Sequence, residues 1–88
     1  MDNSELIYLL GKKFTMDILS LLHEDLRKYS EIQAITKNPR TTNIRLKQMV
    51  EEGLIERKIL NDNYRSVVYS ITEKGKRILS KINELEQL

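Results

Sequence analysis

Basic and hydrogen-bonding side chains recur along one side of the segment 39–52 when it is drawn as a helix at about 100° per residue. The other side carries Thr42, Leu46 and Met49, flanked by Val50, and is predicted to pack on the domain. Such a helix fits the major groove of B-form DNA, where arginine pairs with guanine and glutamine with adenine. The predicted base-contacting residues of this recognition helix are Arg40, Thr41, Asn43, Ile44, Arg45, Lys47 and Gln48.

Ile44 is the apolar member of this outward side. A β-branched apolar residue gains little from facing solvent, but it matches the methyl group of thymine. The alternative is a solvated polar face with one isolated isoleucine.

A polar turn at residues 61–65 is a second candidate contact. An arginine at a hairpin tip reaches the minor groove or a phosphate, so Lys58, Asn63 and Arg65 are predicted contacts of a wing. Asp62 is unfavourable near phosphate, and the alternative is an ordinary polar turn.

The stretch before the first helix of the predicted pair is a third candidate. Amide groups and a hydroxyl at a helix start hold phosphate, so Arg27, Lys28, Tyr29 and Ser30 are predicted backbone contacts. Ser30 with Gln33 also forms a capping-box pattern, and a purely capping role is the alternative.

Helix and strand signals position these residues. Asn38-Pro39 is a strong helix start and Gly53 a left-handed helix end, so two helices meet across a short turn, as in a helix-turn-helix. Helices are also predicted at 4–10, about 12–23 and 73–88, an extended stretch at 27–29, and strands at 54–60 and 64–71. The order predicts a mostly α, α+β fold, a winged helix-turn-helix with a hairpin wing and a final helix.

The chain has 88 residues, which suits one domain, residues 1–88. It lacks a run of about 18 apolar residues and a secretory signal pattern, so we expect a cytoplasmic protein without a membrane partner. Residues 27–47 hold six basic groups and one acidic group, and residues 57–81 hold seven and two. Two basic blocks suit one polyanion, although mixed charge also serves solubility alone.

Catalysis is not expected. The chain has one histidine and no cysteine, so a conventional metal site is absent, and no glycine-rich phosphate loop occurs. We predict no metal, no cofactor and no enzymatic activity.

With these residues laid out, the chain resembles the HxlR-type winged-helix transcription regulators of the MarR-like group. The similar segments are Gly11-Lys12-Lys13-Phe14-Thr15 with Ile18-Leu19, Arg27-Lys28-Tyr29-Ser30-Glu31-Ile32, the positions Leu46, Met49, Glu52, Gly53, Leu54 and Ile55, and Tyr69-Ser70-Ile71-Thr72-Glu73-Lys74-Gly75. Phe14 stands where the family has tryptophan, Thr42 where it has leucine, and Ser66 where it has an arginine of the wing. The family's cysteine near the start is absent, so no redox-sensing thiol is carried over.

The resemblance implies a homodimer formed by the terminal helices, DNA binding through the second helix of the pair, and regulation of neighbouring genes. The surplus of apolar residues at both ends of the chain favours the same dimer, since an exposed apolar patch marks an interface. The predicted interface residues are Leu6, Leu9, Leu10, Leu79, Leu85 and Leu88. The alternative is a monomer whose first helix folds over this patch.

The resulting hypothesis is a sequence-specific regulator that binds double-stranded DNA as a homodimer. A winged helix that binds another protein and a non-specific architectural DNA-binding protein are the alternatives. An RNA partner has little support because the chain has one phenylalanine and no tryptophan to stack on bases. Whether a small-molecule effector exists is left open.

Overall fold

The fold is a winged helix, described here from a computed structural model that covers residues 3–88. Within that range the order of elements is helix, helix, strand, helix, helix, strand, strand, helix, as the sequence predicts. The bounds are α1 Ser4–Leu10, α2 Thr15–Glu24, β1 Arg27–Lys28, α3 Tyr29–Thr36, α4 Pro39–Glu51, β2 Ile55–Ile59, β3 Val67–Ile71 and α5 Glu73–Glu86. No helix in residues 3–88 is both long and apolar enough to cross a membrane.

The sheet has the order β1-β3-β2, and both pairings are antiparallel. β2 and β3 form the hairpin, with Ile55 opposite Ile71 and Ile59 opposite Val67. β1 adds two residues on the other side of β3, with Arg27 opposite Tyr69. This short strand attaches the start of α3 to the hairpin, and thereby ties the helix-turn-helix to the wing.

The second helix begins later than the sequence predicts. Residues 12–14 form a turn, and Phe14 lies in the left-handed region with φ 75°. The Thr15 hydroxyl, fully buried, donates a hydrogen bond of 2.8 Å to the Leu9 carbonyl. This bond satisfies a carbonyl at the end of α1, and the turn sets α2 off from α1.

The core lies between the helices and one face of the sheet. Ile18, Leu19, Leu22, Ile32, Leu46, Met49, Leu54 and Ile55 are its buried members, with Leu9, Tyr69 and Leu79. The predicted inward side of α4 is confirmed for Thr42, Leu46 and Met49, whereas Val50 is 38% exposed. Leu9 and Leu79 are predicted to lie in an exposed dimer interface, but both are buried in the core of the single chain. The side chain of each is only 4% exposed.

The junction between α4, the hairpin and α5 is closed by backbone contacts. Gly53 ends α4 with φ +75°. The Thr72 hydroxyl donates to the carbonyls of Gly53 at 2.6 Å and Leu54 at 3.0 Å, while accepting from the Gly75 amide. Lys74 adds a bond of 2.8 Å from its Nζ to the Glu52 carbonyl. These bonds fix the position of the wing hairpin relative to the end of the recognition helix.

Candidate nucleic-acid interface

The two helices of the helix-turn-helix are joined by residues 37–38. Lys37 is left-handed at φ 59°, and the Asn38 side chain accepts a hydrogen bond of 3.1 Å from the Thr41 amide. Pro39 occupies the first turn of α4. These are the start signals that the sequence predicts, so the position of α4 is encoded locally.

A network of hydroxyl groups fixes the crossing of the two helices. The hydroxyl oxygens of Thr36 and Thr42 lie 2.5 Å apart, so one hydroxyl donates to the other, and the Asn38 carbonyl oxygen lies within hydrogen-bond distance of both, at 3.1 and 3.0 Å. Both side chains are buried. A buried polar group is stabilising only when it is hydrogen-bonded, and these two satisfy each other.

The outward face of α4 carries the predicted contacts along its first three turns. Arg40, Asn43, Ile44 and Lys47 are exposed, and Thr41 is half-buried. Ile44 is 47% exposed. Opposite this face lie the buried Thr42, Leu46 and Met49, so the basic side of the helix is free to meet a ligand.

Arg45 and Gln48 are engaged within the protein. The Arg45 guanidinium donates through Nε to the Lys13 carbonyl at 3.0 Å and through Nη1 to the Gln48 side-chain oxygen at 2.6 Å. Both residues are half-buried at the border between α4 and the corner before α2. They brace the recognition helix against that corner.

The basic stretch before α3 divides into engaged and exposed groups. Arg27 pairs with Glu24 at 3.2 Å and with Glu31 at 3.4 Å, and the Tyr29 hydroxyl donates to the Pro39 carbonyl at 3.4 Å. Lys28 and Ser30 are exposed. Of the four predicted phosphate contacts in this stretch, Lys28 and Ser30 are therefore the exposed ones.

The start of α3 differs from the sequence prediction. The helix begins at Tyr29, and the Glu31 carboxylate accepts a bond of 3.2 Å from the Lys28 amide. Glu31, rather than the predicted pair of Ser30 and Gln33, caps this end. Ser30 thereby keeps its hydroxyl at the surface.

The wing tip is organised by one carboxylate. Oδ1 of Asp62 accepts from the amides of Tyr64 at 3.0 Å and Ser66 at 3.1 Å, and Oδ2 accepts from the Ser66 hydroxyl at 3.0 Å. Hydrogen bonding from Ser66 lowers the pKa of Asp62. Asn63 and Arg65 are exposed, and so is Lys58, which lies 3.6 Å from Glu56.

A groove between α4 and the hairpin adds a residue that the sequence prediction omitted. Its volume is about 350 Å³, and Asn43, Lys47, Val50, Arg57 and Tyr69 are among its lining residues. Arg57 is exposed and lies opposite Tyr69 on β3. Which residues of a strand face the recognition helix depends on the register of the hairpin. The sequence does not give this register, so no sequence signal selects Arg57 over Lys58.

The ends of the chain present a separate apolar surface. Ile7 is 67% exposed, Tyr8 71%, Leu85 66% and Leu88 101%. Leu6 and Leu10 are half-buried. We call Ile7, Tyr8, Leu85 and Leu88 the terminal apolar residues.

This fold and this surface define a winged helix-turn-helix protein. The chain belongs to the HxlR-like helix-turn-helix family, whose model matches residues 9–88. It is 32% identical over 84 residues to an HTH-type transcriptional regulator of Methanocaldococcus jannaschii, with 92% of this chain and 78% of the relative covered. The HTH-type transcriptional regulator YvaP of Bacillus subtilis is 28% identical over 81 residues, with 90% and 75% covered.

Solved structures show the same architecture. The reduced form of the transcriptional regulator YodB from Bacillus subtilis superposes with a TM-score of 0.84 at 25% identity, over 93% of this chain and 82% of that chain. A MarR-family regulator from Enterococcus faecalis gives a TM-score of 0.84 at 22% identity, over 97% and 78%, which shows the fold alone. The chain is thus a helix-turn-helix transcriptional regulator of the MarR/HxlR type, with double-stranded DNA as its partner.

Proposed function

We propose that this regulator recognises a specific duplex sequence as a homodimer, with α4 in the major groove and the wing on the minor groove or backbone. The observation that carries the proposal is the two-sided character of α4. Its inner side is buried and fixed by the Thr36–Thr42 contact, whereas Arg40, Asn43, Ile44 and Lys47 are exposed together on its outer side.

The charge distribution around α4 supports this orientation. Arg40 and Lys47 on the helix, Arg57 on β2 and Arg65 at the wing tip are all exposed. A helix and a hairpin that present cations side by side match two neighbouring stretches of phosphates. Arg45 holds α4 in place through its Nε and Nη1 bonds.

The shape of the chain supports the homodimer. Its accessible surface is 6306 Å², whereas a compact monomer of 10.4 kDa exposes about 5,400 Å². The chain extends over 46 × 27 × 24 Å, and the terminal apolar residues account for part of the excess. The proposed interface uses Leu6, Leu10, Leu85 and Leu88, with Ile7 and Tyr8 added. Leu9 and Leu79 support it from the core.

Selection from a random duplex pool at about 150 mM salt, followed by sequencing, tests the proposal. A two-fold dimer places its recognition helices about 34 Å apart, so the expected result is an inverted repeat with half-sites about 10 base pairs apart. An enriched single half-site would refute the dimer. A flat pool with salt-sensitive DNA recovery would indicate architectural binding, and no recovery at any salt concentration would indicate a protein partner.

A further inference from the structure

Three successive backbone amides in the wing tip donate hydrogen bonds to the same residue, Asp62. The amides of Tyr64 and Ser66 donate to the Asp62 carboxylate, and the amide of Arg65 donates to the Asp62 carbonyl at 3.3 Å. The Ser66 hydroxyl donates to the second carboxylate oxygen at 3.0 Å. Asp62 therefore occupies the centre of the loop and holds every backbone donor from residue 64 to residue 66.

Arg65 depends on this arrangement for its conformation. Its φ is 48°, in the left-handed region that residues other than glycine rarely adopt. The amides on either side of Arg65 are fixed by one carboxylate oxygen. The outer edge of the loop is then formed by the exposed side chains of Asn63, Tyr64 and Arg65, of which Tyr64 is 87% exposed.

The same hydrogen bonds offset the charge that makes Asp62 unfavourable near DNA. A carboxylate directed at a phosphate is repelled, but this carboxylate accepts from three donors within its own loop. Successive amides that converge in a loop form an anion-binding concavity. In this wing the anion is supplied by the protein, so a phosphate has to be met by side chains.

We propose that Asp62 is the positioning residue of the wing: it fills the amide concavity of the tip, holds Arg65 in its left-handed conformation and so directs Arg65 to DNA without touching it. This inference rests on the proposed function, because it gives the wing its contact with the duplex.

Quantitative binding of the selected duplex by full-length variants tests the assignment. Asp62→Ala removes a negative charge, so electrostatics alone predicts tighter binding. We expect weaker binding instead, by about tenfold, which corresponds to one charge-assisted hydrogen bond. Asp62→Asn keeps an oxygen for the two amides and is expected to bind nearly as well as the wild type.

A double-mutant cycle separates positioning from general damage to the fold. If Asp62 acts through Arg65, Arg65→Ala and the Asp62→Ala/Arg65→Ala pair lose the same affinity. Glu56→Gln is the matched control, because it removes a carboxylate from the same hairpin outside the loop, and its affinity is expected to equal or exceed that of the wild type. Tighter binding by Asp62→Ala, or additive losses in the cycle, would overturn the proposal.

Amide hydrogen exchange in the protein alone distinguishes the two possible failures. We expect protected Tyr64 and Ser66 amides in the wild type and in Asp62→Asn, and fast exchange in Asp62→Ala. Protected amides in a protein that binds no duplex would refute the proposed function and the wing's role with it. Fast-exchanging wild-type amides in a protein that binds its duplex would refute the assignment of Asp62 alone.

Discussion

The hydroxyl oxygens of Thr36 and Thr42 lie 2.5 Å apart, one from each helix of the helix-turn-helix. Thr42 is fully buried, and Thr36 is 8% exposed. Because the Asn38 carbonyl lies within hydrogen-bond distance of both hydroxyls and accepts from the one that is not donated to the other threonine, the crossing of the helices and the turn between them are fixed together. This contact and the bond from Arg45 to the Lys13 carbonyl together hold the outward face of α4 in its orientation.

Thr42→Val should destabilise the domain. The substitution keeps the shape of the side chain but removes the donor to Asn38 and the partner of Thr36, at about 1–2 kcal/mol in the free energy of unfolding. Urea denaturation measures the change. Thr42→Ser keeps the hydroxyl and serves as the control for the network. Equal stability of Thr42→Val and the wild type would show that the hydroxyl pair contributes nothing.

Arg40→Ala should relax base preference at one position of each half-site, by about 1–3 kcal/mol. Arg40 is exposed in the first turn of α4, the helix that is proposed to enter the major groove. Repeating the duplex selection with the variant measures the change. An unaltered preference would show that Arg40 contacts no base.

Lys28→Ala tests a contact with the DNA phosphate backbone and is the comparison for Arg40→Ala. Lys28 is exposed beside α3, and the loss of a phosphate contact weakens all sequences alike and flattens the salt dependence of binding. Titration of a specific and a random duplex at several salt concentrations measures both effects. A selective loss on the specific duplex alone would contradict the assignment.

Leu85→Glu should convert the proposed dimer to a monomer. Leu85 is 66% exposed, so the new charge would be buried unpaired only in the assembly. Sedimentation analysis gives the mass, and Asn83→Glu is the control, since it lies about 200° away on the same helix and adds the same charge. A wild-type monomer, or a dimeric Leu85→Glu variant, would refute the proposed interface.

Two glycines should respond to alanine in opposite directions. A Cβ at Gly75 would overlap the Leu54 carbonyl oxygen and come within 2.8 Å of Ile71 Cγ1, so Gly75→Ala should cost about 1–3 kcal/mol. Gly11 has a helical φ of −83° and no neighbour closer than 3.6 Å. Gly11→Ala should therefore stabilise by about 0.4–1 kcal/mol. Denaturant unfolding compares them, and destabilisation of both would contradict the packing difference.

The wing loop should depend on pH only in acid. Hydrogen bonds from Ser66 lower the pKa of Asp62 below its ordinary value of 3.8. A lowered pKa in the folded state means that the stabilisation is complete above the unfolded value and is lost as the pH falls through the folded value. The Ser66 amide resonance, followed by NMR, should therefore change with a midpoint below pH 3.8. A midpoint above that value would contradict the hydrogen-bonded loop.

Local signals in the sequence predict most of the fold. Asn38 and Pro39 start α4, Gly53 ends it, and Thr72 caps α5, where its side chain accepts from the Gly75 amide. Each acts on its own neighbours, so its effect is visible in the sequence. The late start of α2 is not, because phenylalanine at φ 75° is held there by packing rather than by propensity.

The candidate interface is less predictable because its long side chains bond to other elements of the fold. Arg45 bonds a carbonyl 32 residues away in the chain, and Arg27 pairs with two glutamates on different helices. The periodicity of α4 locates both borders of the recognition face but does not show which border residues are engaged. Leu9 and Leu79 are likewise not placed correctly by the sequence, because the same apolar spacing is expected for a residue in the core and for one in an interface.

The order β1-β3-β2 leaves β2 at the edge of the sheet. An edge strand offers unpaired backbone groups to any other extended chain, and charged side chains along it oppose such pairing. The middle of β2 is Glu56, Arg57 and Lys58, all exposed. These charges therefore oppose strand-to-strand aggregation between copies of the protein at an edge that the fold leaves open.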